Sequence, residues 1–174
     1  MRYIDRTMGV LLALSAAFSA MAPADAQMAP PAGVTAQMAG PYRVVLGFLP
    51  AEPFFTADQV RAGHVTDGMM VVGGAAPVAL SAPSHPNHHL VFHIFDASGH
   101  AVQGAHVTIS YASVAGDATT IGPTQVPVVE MQAVGKGPES THYGNNVTLP
   151  PGTYDVTVTV NGTNATTFVV KSTP

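Results

Sequence analysis

From residue 42 onward, apolar and polar positions alternate in short runs that end in turn residues. The runs 42–49, 68–72, 88–95, 105–111, 126–134, 153–160 and 165–170 each predict a β-strand. Two alternate cleanly. Ala105, Val107, Ile109 and Tyr111 fall on one face of theirs, and Tyr154, Val156, Val158 and Val160 fall inward on another, with Asp155, Thr157 and Thr159 outward. Asp96-Ala97-Ser98-Gly99 is a turn sequence, and Asn161-Gly162 is a strong hairpin signal. A short helical turn is expected over 57–61, and no long helical period occurs. Short strands with frequent turns predict an all-β fold, an antiparallel β-sandwich of about seven strands.

Leu149-Pro150-Pro151-Gly152-Thr153-Tyr154 refines that expectation. A tyrosine just after a Pro-Gly turn, opening an alternating strand, resembles the tyrosine corner of immunoglobulin-like sandwiches, where the hydroxyl ties loop to strand. The domain should cover 42–174, preceded by a flexible Ala/Pro-rich lead-in over 27–41, where Pro30-Pro31 blocks a helix. Residues 1–26 read as a signal peptide: Arg2 and Arg6, then an apolar run, then Ala24-Asp25-Ala26 as a cleavage site. These features predict a periplasmic or secreted protein, with no membrane insertion after cleavage.

With a net charge of −4 and 9% charged residues, the chain is not expected to hold nucleic acid by counterion release. It has no cysteine, so soft-metal chemistry would need methionine and histidine. Four of the eight histidines lie in Ser84-His85-Pro86-Asn87-His88-His89-Leu90-Val91-Phe92-His93. Imidazole is the commonest protein ligand for late transition metals. His89 and His93 share a strand face but stand roughly 13 Å apart along a regular strand, too far to chelate one ion without a bulge. A site should therefore combine His89, with His88 and His85, and ligands from elsewhere. Met131 is expected late in one strand and His142 in the loop leading to the next. Imidazole plus thioether suits copper, Cu(I) especially.

His142-Tyr143-Gly144-Asn145-Asn146-Val147, with Met131 upstream and Pro151-Gly152-Thr153-Tyr154 downstream, resembles the periplasmic iron-transport-associated protein family. That resemblance implies an immunoglobulin-like sandwich that binds copper and assists iron uptake, with His142 and Met131 as ligands. The family's His-x-Glu pair is missing, because Leu90 and Val91 follow His89. The 88–111 region is also similar to the YtkA-like exported domains.

No Gly-x-Ser-x-Gly, His-Glu-x-x-His or phosphate loop occurs, so the chain is not read as an enzyme. The expected function is non-catalytic transition-metal binding, with a copper ion held by His89, His142, His88, Met131 and His85. The expected partners are the ion and an envelope transporter or metal-receiving protein. An exported interaction or structural module without a metal is the alternative. Separation of the His88–His89 end from His142 by more than ~10 Å would end the shared site.

Overall fold

The computed structural model describes residues 35–63, 65–114, 121–163 and 165–174. The expected signal peptide and the first part of the lead-in lie outside them. The fold is the all-β sandwich that the alternation predicts. Its strands are β1 (Thr35–Ala39), β2 (Tyr42–Pro50), β3 (Phe54–Phe55), β4 (Met69–Gly74), β5 (His88–Phe95), β6 (Val107–Ser113), β7 (Thr124–Val126), β8 (Val129–Ala133), β9 (His142–Val147), β10 (Gly152–Val160) and β11 (Thr166–Ser172), with one short helix, α1 (Ala57–Arg61). One sheet has seven strands in the order β1-β2-β5-β9-β8-β4-β3, and the other has four in the order β11-β10-β6-β7. All pairings are antiparallel except β3 with β4.

The main core fills the space between the sheets. Val44, Leu46, Leu90, Phe92, Ile94 and Tyr143 of the larger sheet pack against Ile109, Val156, Val158 and Phe168 of the smaller one. Tyr154 is buried, and its hydroxyl donates to the Pro150 carbonyl at 2.9 Å, the loop-to-strand tie expected of it. α1 begins with a capping box between Thr56 and Gln59.

Among the described residues there are eleven strands where about seven were expected: Phe54–Phe55 adds the two-residue β3, and three further regions depart from the sequence expectation. Residues 35–39 of the lead-in form β1, paired with β2 along its whole length. The 126–134 run splits at Pro127-Val128 into β7 in one sheet and β8 in the other, since proline cannot donate to a ladder. His142 opens β9, which lies in the middle of the larger sheet, and is not in a loop. All six β9 residues are buried, so the strand has no polar face to announce it.

The middle of the larger sheet, β5 and β9, is buried on both faces. β2 and β3 are five strand spacings apart in the sheet order, which would be ~24 Å in a flat sheet. The four steps from Pro50 to Phe54 reach at most ~14 Å. The sheet therefore curls, and the 51–53 strap closes the curl. Inside it Val91, Val129 and Met131 form a second small core, with Phe54, Met69 and Val71 packed against it.

Candidate metal centre

Strand parity places one histidine-rich row inside this curl. Met131 is directly opposite His142 in the β8–β9 ladder. His89 is opposite Asn146 in the β5–β9 ladder, and Val91 is opposite Gly144. Continuing that register by two residues brings His93 beside His142. His89, Val91, His93, His142, Gly144, Asn146, Val129 and Met131 thus share the concave face. Gly144 is required there: a Cβ would collide with the Leu90 carbonyl oxygen and lie 2.8 Å from the Val91 Cα. A side chain would push β9 away from β5.

The imidazoles cluster. The ring centroids of His89 and His142 are 6.1 Å apart at 90°, and those of His93 and His142 are 4.9 Å apart. With an ion ~2.0 Å from each Nε2, two rings sharing it have centroids roughly 5–6 Å apart. The His89–His142 distance is well inside the ~10 Å limit set from sequence. The rings are close but not closed on one point: among the described residues, no group of three histidine, aspartate or glutamate side chains is arranged to hold an ion.

Hydrogen bonds settle which nitrogen each ring presents. Asn146 Nδ2 donates to the carbonyls of Glu52 at 2.8 Å and Val78 at 2.9 Å, which can only accept. Its Oδ1 therefore accepts, from Glu52 N–H at 3.1 Å and from His89 Nδ1–H at 2.9 Å. His142 Nδ1–H donates to the Ser140 carbonyl at 2.7 Å. Both neutral rings thus carry their lone pair on Nε2. Among the described residues, both Nε2 atoms are buried without a hydrogen-bond partner. His89 is 0% exposed and His142 2%. A buried acceptor left unpaired costs about 1–3 kcal/mol, and two beside each other call for an explanation.

Electrostatics keep these rings neutral. Burial pulls His89 down to about 4, against the Asn146 hydrogen bond and helped by repulsion from His142. Burial, with repulsion from His142 and His89, also pulls His93 to about 4. His142 is lowered by burial, partly offset by its bond to Ser140. An Nδ1–H held by a carbonyl oxygen with Nε2 left bare is how metal-binding histidines are prepared.

The structure does not bring the other two expected ligands here. His88 points to the opposite face of β5, as alternation demands; its ring stacks on Phe48 at 4.2 Å and its Nε2 meets Ser172 Oγ at 2.8 Å. That hydroxyl gives its hydrogen to the Leu149 carbonyl, so His88 Nε2 is the donor and has no free lone pair. His85 is exposed in the preceding loop, with φ 47°. His93 is not among the expected ligands. It stands four residues from His89 along the strand, and His142, on the neighbouring strand, lies beside both rings. The signal was present in the parity of residues 89 and 93, once residues 142–147 are paired as a strand.

The His-Tyr-Gly-Asn-Asn run has a physical role at every position. Tyr143 accepts from Ala105 N–H and donates to the Val102 carbonyl, fixing the 102–105 turn. Asn145 joins Val78 N–H to the carbonyls of Ala76 and Pro127. Asn146 bolts the 52 strap and the 78 segment over His89. Comparison with known protein families, characterised proteins and solved structures found no match for the chain.

Proposed function

We propose that this protein binds a transition-metal ion, cuprous copper, in the curl of the larger sheet, and handles or delivers it without catalysing a reaction. His89 and His142 supply Nε2, and Met131 is the thioether in reach by register. The observation that carries the reading is the pair of buried, unpartnered Nε2 atoms on rings whose Nδ1–H groups are held by oxygen.

The charge of the ion follows from the donors. The candidate ligands are neutral imidazoles and a thioether, with no carboxylate or thiolate among them. The cost of taking an ion out of water grows with the square of its charge, so a dication costs roughly four times as much as a monocation. A neutral soft set therefore favours Cu(I) over Cu(II) or Zn(II). Export to an oxidising compartment, read from residues 1–26, fits a ligand set without cysteine.

The test is a titration of metal-free protein with Cu(I) against a competing chelator, for wild type and His89→Ala/His142→Ala. One equivalent bound tightly by wild type, and lost in the folded double variant, is expected. Equal binding by both would refute the site.

A further inference from the structure

The candidate ligands are sealed from solvent: His89 and Met131 are 0% exposed and His142 is 2% exposed. An ion that reaches them must pass side chains standing between the curl and water. Phe54, Met69 and Val71 are half-buried and pack against the small core that contains Met131. Met69 is the one of these three with a donor atom. Its place follows from register. Val71 is opposite Met131 and Met69 is opposite Ala133 in the β4–β8 ladder, with no shift between the two pairs. Met69 therefore shares the concave face with Val71, and Met131 is its diagonal neighbour at roughly 7–8 Å, within reach of long side chains. Met70 falls on the opposite face. The backbone at Met69 is fixed on both sides, by pairing with Phe54 and with Ala133, and its N–H donates to the Pro53 carbonyl at 2.9 Å. Its side chain is unbranched and turns about three bonds, so the sulfur can swing while the strand stays in place.

We propose that Met69 is the capture ligand of this centre: its thioether takes cuprous copper at the rim of the curl and passes it to Met131, His142 and His89. This inference rests on the metal reading above. On uptake the Met69 sulfur donates a lone pair to the ion, and a ligand of the delivering molecule leaves with its own pair. The Met131 sulfur and the Nε2 lone pairs of His142 and His89 then bind. The Met69–copper bond breaks, and its electron pair returns to the sulfur. No electron is transferred and the ion stays monovalent. Release runs through the same steps in reverse. A thioether suits the task because it is soft and neutral, and it carries a soft monocation past apolar side chains without adding charge. Met69 is not a ligand of the resting centre.

The experiment is stopped-flow exchange of Cu(I) with a chromogenic chelator, run as uptake from the chelate and as release to it, for wild type, Met69→Leu and Met70→Leu. Leucine fills a similar volume, so both variants keep the packing of the curl. Met69→Leu should slow uptake and release by the same factor, about tenfold or more, while still binding one equivalent at wild-type affinity. A ligand used only in passage lowers the barrier and leaves the end state alone. Met70→Leu, on the opposite face, should exchange as wild type does. Unchanged rates in Met69→Leu would overturn the proposal, as would equal slowing in Met70→Leu. Weaker binding by Met69→Leu with uptake unchanged would also overturn it, since Met69 would then be a resident ligand. Failure of wild type to take up Cu(I) would remove both this inference and the reading beneath it.

Discussion

Asn146 holds the candidate centre together at the scale of a single residue. One buried amide uses both hydrogens and accepts twice, joining the strap, the 78 segment and His89. Asn146→Ala would leave two carbonyls and two N–H groups unpaired. The expected loss is roughly 2–4 kcal/mol of folding stability, together with a fall in Cu(I) affinity of about 10- to 100-fold from the freed His89 ring. Urea unfolding and competitive titration read the two effects separately; a variant unchanged in affinity would mean that Asn146 serves the fold alone. Residue chemistry was the most legible level in the sequence. His89, His142 and Met131 could be named from ligand softness and spacing, and they do share one face. His88 could not be separated from His89 without knowing which face of β5 looks into the curl. His93 could not be placed beside His142 without knowing that the two stand on adjacent strands.

Among the elements, β9 decides the architecture. It sits between β5 and β8, places His142 beside His93 and Met131, and depends on Gly144 to lie close to β5. Gly144→Ala puts a Cβ into the Leu90 carbonyl, and backbone cannot yield as a flexible side chain can. Overpacking costs typically about 1–3 kcal/mol and occasionally more; here we expect the upper end or beyond, seen as a lowered midpoint or as protein that fails to fold. Wild-type stability in this variant would show that β9 is not packed as described. Strands with one wet face, such as β6 and β10, were readable from alternation. β9 was not, because burial on both faces removes the period, and Gly144, Asn145 and Asn146 are poor strand formers. Their placement is set by tertiary hydrogen bonds and close approach, which no local pattern records.

For the whole molecule, neutral buried histidines make stability depend on pH. His89 and His93 titrate near 4 when folded and His142 below its ordinary value, against 6.5 for the unfolded chain. As pH falls below 6.5, the unfolded state takes up protons that the folded state refuses. Stability is therefore full above 6.5 and is lost as pH falls toward about 4. For His89 alone the loss is on the order of 3 kcal/mol. Urea midpoints of metal-free protein on either side of this window should show the slope, and His89→Phe should reduce it by the share His89 contributes. A midpoint independent of pH through the window would contradict the burial of these rings. The curl that buries them is a property of the whole sheet: a four-step strap must reach from β2 to β3, and only a curled sheet lets it. That geometry followed from topology and chain reach, and was not visible in any segment.

The proposed centre brings His89, His142 and Met131 to one ion. X-ray absorption of the Cu(I)-loaded protein reads that ligand set. The expected spectrum has an imidazole nitrogen shell with its outer-ring scattering, plus a sulfur shell that disappears in Met131→Leu while the nitrogen shell remains. A spectrum without sulfur, or one unchanged in His89→Ala/His142→Ala, would contradict it.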